Sequence, residues 1–322
     1  MVWRLRGYNV GVIFPKRMAF EWQLRSTTLM LGKHTHVMGV VNITPDSFSD
    51  GGRYLDPQRA IEHGLMLLEE GADLLDLGAE STRPGSAAGP SHPSNGMVLS
   101  AEEEQQRLLP VIEGILKARP GAILSVDTYK AGTARAAVAA GAEIVNDVSG
   151  FLWDPAMAET CAHLQCGVVL MHTRGTPDEW RSQPPLGRDA VLPMVRDGLR
   201  TTLETARAAG IDEERIVLDP GYGFGKRFDD NYYLLARQTE LLALGRPLLV
   251  GLSRKSFLTR GFSELQGRVA SSDAAKSHEA REIAGIAALT ASILAGASVV
   301  RVHEVRWAVE AAAIGDSLLA AG

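Results

Sequence analysis

The stretch V-M-G-V-V-N-I-T-P-D-S-F-S-D-G-G, from Val37 to Gly52, decides how the rest of the chain reads. Val37 to Val41 is short, apolar and rich in β-branched residues, the composition of a buried strand. It ends at Asn42. The loop beyond has turn chemistry throughout, with Thr44, Pro45, Asp46, Ser47, Ser49, Asp50, Gly51 and Gly52. One such stretch alone reads as a solvated, Asx-capped turn. The pattern of an apolar run emptying into a polar end, however, recurs down the chain.

Further apolar runs stand at Leu74–Leu77, Ile123–Val126, Ile144–Val145, Val168–Met171, Ile216–Leu218, Leu248–Leu252 and Ser298–Val300, which makes eight. Between them lie helical patterns at Pro57–Glu70, Ala101–Ala118, Lys130–Ala140, Pro155–Gln165, Val191–Ala209, Asn231–Leu244 and Ala284–Leu294. Asp56-Pro57 opens the first as cap and first-turn residue, and Ser100 with Glu103 forms a capping box for the second. Strand–helix alternation implies a parallel sheet, and eight units close into a (β/α)8 TIM barrel of the α/β class. An open doubly wound sheet would carry a nucleotide fingerprint. Gly221, Gly223 and Gly225 do not make one, because G-x-G-x-x-G needs glycine where Lys226 stands. The phosphate-loop pattern fails at Pro220 and Arg227.

Phe20 to Lys33 alternates loosely and predicts a short hairpin covering one end of the core. The expected organisation is a dispensable extension over 1–17, the hairpin lead-in over 18–36, and the barrel over 37–322. Met1 to Lys16 has a weakly signal-like look, but Gly11 breaks its apolar part and no small-residue cleavage site follows. Met18 is the expected start. No apolar run approaches the roughly 20 residues of a membrane span. A net charge of −5 argues against a nucleic-acid partner. Cys161 and Cys166 fall in one predicted helix, five residues apart and so on different faces, as reduced core thiols of a cytoplasmic protein would be.

In a barrel the carboxyl ends of the strands share one face, and that face carries the chemistry. Here it presents Asn42, Thr82, Arg83, Asp127, Asn146, Asp219, Lys255, Arg301 and His303. Asp127, Asn146 and Asp219 suit a ligand with a planar edge of donors and acceptors. Arg83, Lys255, Arg301 and His303 suit an anion such as phosphate. Asn42 and Asp50 offer oxygen to a hard cation, as Mg²⁺ with a phosphate substrate requires. No Cys/His set has zinc spacing, and no Ser-His-acid signature supports an acyl nucleophile. By themselves these residues describe an enzyme joining a polar heterocycle, a phosphate group and Mg²⁺.

Seven segments together resemble the dihydropteroate synthase family: Met38 to Gly52, Asp76 to Gly85 (D-L-G-A-E-S-T-R-P-G), Ser125 to Thr128, Ile144 to Val148, Leu218 to Lys226 (L-D-P-G-Y-G-F-G-K), Gly251 to Ser256 (G-L-S-R-K-S) and Arg301 to His303. The resemblance implies condensation of 6-hydroxymethyl-7,8-dihydropterin pyrophosphate with p-aminobenzoate, giving 7,8-dihydropteroate and pyrophosphate. It further implies that Asp127, Asn146 and Asp219 bond the pterin edge, with Lys255 beside them and Met171 and Phe224 as walls. Asn42 and Asp50 would hold Mg²⁺ with the pyrophosphate, which Thr82, Arg301 and His303 also contact. Phe48, Arg83, Pro84, Lys255 and Ser256 would surround p-aminobenzoate. The catalytic set on this reading is Asp50, Arg83, Lys255, Arg301 and His303. The family mechanism is dissociative, and the family implies a homodimer through helices of the carboxyl-terminal half. Two departures stand out: an inserted loop from Ser86 to Gly96, and a segment before Met18 without a counterpart.

Two other readings compete. A methyltransferase barrel that passes a methyl group from a folate to a corrinoid needs no pyrophosphate site, which the T-P-D-S-F-S-D-G-G loop and Ser253-Arg254-Lys255 supply. A degenerate pterin-binding paralogue would have lost part of Asn42, Arg301 and His303, and all three are present.

The Gly/Ser/Pro-rich loops after the first two strands predict an order of binding, with pyrophosphate and Mg²⁺ ahead of p-aminobenzoate. Labelled p-aminobenzoate should bind negligibly to the empty protein and strongly once pyrophosphate, Mg²⁺ and a pterin are present. Equilibrium dialysis with and without those partners measures it, and equal binding in both would mean a preformed pocket.

Overall fold

The protein is described by a computed structural model, covering residues 14, 16–44, 56–81, 88, 99–180, 182–258 and 278–321. Two strands, β1 (Phe20–Gln23) and β2 (Thr28–Leu31), pair antiparallel with Phe20 opposite Leu31. Eight parallel strands follow: β3 (His36–Asn42), β4 (Leu74–Gly78), β5 (Leu124–Asp127), β6 (Ile144–Asp147), β7 (Gly167–Met171), β8 (Ile216–Asp219), β9 (Leu248–Val250) and β10 (Ala297–Val302). They close in sequence order, with β10 pairing β3 from Val299↔His36 to Val302↔Gly39. The helices between and after them are α1 (Pro57–Glu69), α2 (Ala101–Ala118), α3 (Ala131–Ala139), α4 (Met157–Leu164), α5 (Val191–Ala208), α6 (Phe228–Ala236), α7 (His278–Leu294) and α8 (Val305–Ala321). This is the expected (β/α)8 barrel.

Both expected caps form. Asp56 accepts from the Gln58 N–H at 2.9 Å, and Ser100 and Glu103 exchange bonds of 3.0 and 3.1 Å. Three expectations need correction. The pattern over Asn231–Leu244 is two pieces, α6 and a 3-10 turn from Gln238 to Leu244, separated at Arg237 where φ is −118°. The helix expected from Ala284 begins at His278, and α8 adds an element beyond the last predicted strand. The cysteines do not share a helix. α4 ends at Leu164 and Gln165 takes a left-handed φ of 50°, so Cys166 lies beyond the turn that closes the helix carrying Cys161. They remain free and buried.

Strand parity sorts the side chains into an inner and an outer set. Outward residues such as Val41, Leu75, Leu77, Val126, Val168, Leu218 and Val300 pack under the helices. Inward residues at the amino end of the barrel form a separate cluster: Met38, Leu74, Ile144, Val169, Val217, Leu249 and Val299. The hairpin plugs that end. Trp22, Leu24 and Leu31 complete the cluster, and the Trp22 indole donates to the Arg215 carbonyl at 2.9 Å. Of the amino-terminal extension only Phe14, Lys16 and Arg17 fall among the described residues. Arg17 pairs with Asp316 of α8 at 2.8 Å and donates to the Thr35 hydroxyl.

The plug predicts a large effect of Trp22→Ala, which opens a void no backbone can refill. Unfolding in urea should show a loss of about 3–5 kcal/mol. A loss under 1 kcal/mol would mean the hairpin only leans on the barrel.

Candidate active site

At the mouth the inward positions turn polar. Asp76 of β4, Ser125 and Asp127 of β5, Asn146 of β6, Asp219 of β8 and Arg301 of β10 continue the columns that hold apolar residues lower down. Arg301 reaches across the barrel. Its Nε donates to Asp76 Oδ2 at 2.6 Å and its terminal nitrogen donates to Asp127 Oδ2 at 2.8 Å. Asp76 is fully buried and also accepts from the Ser125 hydroxyl at 2.6 Å and the Asn146 amide at 3.0 Å. The Asn146 side chain is thereby fixed through its nitrogen, with its oxygen the acceptor that remains.

Burial raises the Asp127 pKa to about 7. The Arg301 guanidinium opposes the shift, and the negative charges of Asp76, Glu104 and Asp147 add to it. Burial also pushes Asp219 up, against the Gly221 N–H that its Oδ1 accepts at 2.7 Å. Lys255 is lowered to about 8 by burial, with Asp219 partly restoring it and Arg301 opposing. Its ammonium lies 3.9 Å above the Phe224 ring. Burial works against the Arg301 charge, and the Asp76 and Asp127 carboxylates outweigh it and hold the guanidinium firmly charged.

Two loops aim these groups. In G-Y-G-F-G-K, Gly221, Gly223 and Gly225 all have positive φ. A Cβ on Gly221 would run into the His172 carbonyl, and one on Gly225 would lie 2.7 Å from the Arg174 carbonyl. The loop therefore folds flat against the end of β7, and buried Lys226 pins it by donating to the carbonyls of His172, Gly221 and Phe224 at 3.1, 2.7 and 3.3 Å. In G-L-S-R-K-S, Arg254 adopts a left-handed φ of 59° and pairs outward with Glu282 and Glu304. That turn leaves Lys255 at the mouth and places the Ser253 hydroxyl 3.0 Å from His303 Nδ1.

Asn42 ends β3, beside β10, which carries Arg301 and leads into His303. Met171 and Phe224 do form a wall, with Tyr129, Val148 and Trp153. Ala88, the one described residue between positions 82 and 98, is 2% exposed and packs on that wall. Ser256 is exposed beside Lys255. Phe48, Asp50, Thr82, Arg83 and Pro84 lie outside the described residues.

Several polar strand ends turn away from the mouth. Asp147 accepts from the backbone N–H groups of Ser149 and Phe151, both at 2.8 Å, and closes its own turn. The His172 ring packs against Gly198 of α5. The sequence reading missed Asp76. The available signal for Asp76 was its parity: a carboxyl residue at an inward position of an otherwise apolar strand. It also missed Lys130, which bridges Glu80 at 2.5 Å and Glu104 at 3.3 Å and so ties down the start of the second loop.

A family model described as pterin binding enzyme matches residues 38–303. A Mycobacterium leprae dihydropteroate synthase is 43% identical over 286 residues, 89% of this chain and 94% of the relative. The chain belongs to the dihydropteroate synthases of the pterin-binding enzyme family. Among solved structures, Xanthomonas albilineans dihydropteroate synthase with 4-aminobenzoic acid superposes with a TM-score of 0.78 at 40% identity, covering 94% of this chain and 99% of that one. Yersinia pestis dihydropteroate synthase in a sulfonamide drug complex gives 0.78 at 35% identity, covering 94% and 100%. The strand ends of this dihydropteroate synthase chain that carry Asn42, Asp127, Asn146, Arg301 and His303 all fall within the matched span.

The Asp127 shift sets a pH signature. A carboxyl raised from about 3.9 unfolded to about 7 folded favours the folded state fully below pH 4, and that contribution is lost as pH rises through 7. Asp127→Asn imitates the protonated form and should remove the loss. Urea unfolding at pH 5 and pH 8 should therefore show the variant gaining on the unaltered chain at the higher pH. An unchanged difference would mean that Arg301 keeps Asp127 ionised throughout.

Proposed function

We propose that this chain is the transferase that condenses 6-hydroxymethyl-7,8-dihydropterin pyrophosphate with p-aminobenzoate, releasing 7,8-dihydropteroate and pyrophosphate. The observation that carries the reading is the convergence of Asp127, Asn146, Asp219, Lys255 and Arg301 beside the Met171–Phe224 wall. Carboxylates and an amide oxygen match the ring and amino N–H groups of a pterin, and Lys255 matches its carbonyl. Arg301 and His303 face the pyrophosphate, with Ser253 fixing the imidazole.

The residues also fit Mg²⁺. Asn42 supplies one neutral oxygen at the end of β3, and a magnesium ion with a pyrophosphate takes most of its remaining ligands from phosphate and water. Asp50 is the second proposed ligand. Bound there, the ion would neutralise charge on the leaving group. The protein's own work is electrostatic. The bond from the pterin methylene to the pyrophosphate oxygen breaks, with the electron pair leaving on pyrophosphate. Asp127 and Asp219 then face the cationic pterin in a site the Met171–Phe224 wall keeps from water. The p-aminobenzoate nitrogen attacks the methylene carbon and gives up a proton to solvent. Phe48, Thr82, Arg83, Pro84 and Ser256 are proposed to enclose that second substrate.

The working form is proposed to be a cytoplasmic homodimer. Trp307, Ile314 and Leu318 recur at helical spacing on α8, and they are exposed with Ile283 of α7. Light scattering at micromolar concentration should return twice the chain mass.

Purified protein, the pterin pyrophosphate, Mg²⁺ and labelled p-aminobenzoate should yield labelled dihydropteroate. In calorimetry, Asp219→Ala should weaken pterin binding by about 1.5–3 kcal/mol for each hydrogen bond to the charged group that is lost. No product from the unaltered chain, or full pterin affinity in the folded variant, would remove the reading.

A further inference from the structure

At the end of the barrel opposite the mouth, the triplet His34-Thr35-His36 leads into β3 and Asp73 immediately precedes β4. These two strands are neighbours, and Asp73 is locked between them. Its N–H donates to the Val37 carbonyl at 2.9 Å, and its Oδ2 accepts from the Val37 N–H at 2.7 Å. The other carboxylate oxygen stands 4.0 Å from His34 Nε2. The two imidazole rings are stacked, with centroids 4.4 Å apart. One nitrogen from each ring and one Asp73 oxygen lie within 4.8 Å of one another.

A second observation is independent of that spacing. His36 is only 4% exposed, and its Nδ1 has no hydrogen-bond partner among the described residues. A buried polar atom left unpaired costs about 1–3 kcal/mol. Nothing at the mouth explains this arrangement, because the seven residues of β3 put His36 about 20 Å from Asn42.

We propose that His34, His36 and Asp73 form a binding site for a divalent cation of the zinc class, which staples the amino-terminal ends of β3 and β4. Two imidazoles and a carboxylate suit Zn²⁺, Co²⁺, Ni²⁺ or Cu²⁺ and not the all-oxygen preference of Mg²⁺. A tetrahedral ion with bonds of about 2.0–2.1 Å sets its ligand atoms roughly 3.3 Å apart. The group therefore has to contract onto the fixed Asp73, and His34 has the freedom to do so, with its side chain 53% exposed. Water takes the open coordination position. The cation facing this corner is Arg17, whose charge is already taken up by Asp316.

Metal-stripped full chain titrated with Co²⁺ should develop visible absorption that saturates at one equivalent and is displaced by Zn²⁺. The melting temperature should rise over the same range, since an ion that binds only the folded state stabilises it. His34→Ala removes an exposed ring. Asp73→Asn keeps an acceptor for the Val37 N–H while losing the anionic ligand. Each should weaken Zn²⁺ binding at least tenfold and abolish the thermal rise, while the metal-free melting temperature and the rate of dihydropteroate formation stay as they were. Equal affinity in the double variant, or no binding by the unaltered chain, would overturn the proposal.

Discussion

Arg301 lies between two carboxylates inside the barrel, and the other mouth groups take their positions from that arrangement. Asp76 could not be buried without it. Removing one partner of a buried pair typically costs about 3–5 kcal/mol, chiefly because the other charge is stranded. Here the stranding would spread, since Asp76 also fixes Ser125 and Asn146. Burial raises the Asp127 pKa, and a single guanidinium shared with Asp76 only partly opposes that rise. The mouth is thus set to gain from a ligand that brings hydrogen-bond donors.

The polar layer rests on an apolar one. Because side chains alternate along each strand, Leu74 and Asp76 point to the same interior, as do Ile144 and Asn146, Val217 and Asp219, and Val299 and Arg301. The lower members are sealed by Trp22 from the hairpin, so water reaches the barrel interior from one end only. Closure at the bottom sharpens the electrostatics at the top.

Much of this was legible in the residues. Eight apolar runs with polar ends give the barrel, and seven segments in family order give its chemistry to the level of individual strand ends such as Asn146, Asp219 and Arg301. What was hidden depends on the third dimension. Asp76 was lost inside a run read as apolar, because only the closed barrel brings Arg301 to it. The cysteines were misplaced because a single left-handed residue, Gln165, reverses the chain. The glycines of the G-Y-G-F-G-K loop spell no nucleotide fingerprint, and their purpose, letting the backbone lie against His172 and Arg174, needed the neighbouring strand in place.

The Asp76–Arg301 bond also bears on how the molecule is made. Its partners are 225 residues apart. At about 5–20 residues per second, Asp76 leaves the ribosome roughly 11–45 s before its counter-ion. Drying the interior around β4 during that interval would strand Asp76 without its guanidinium, so an amino-terminal half-barrel keeps water there. The last strand is the one that lets water leave. Truncated or stalled chains therefore stay open to proteases and chaperones, and the finished chain commits to its fold in one late, concerted step.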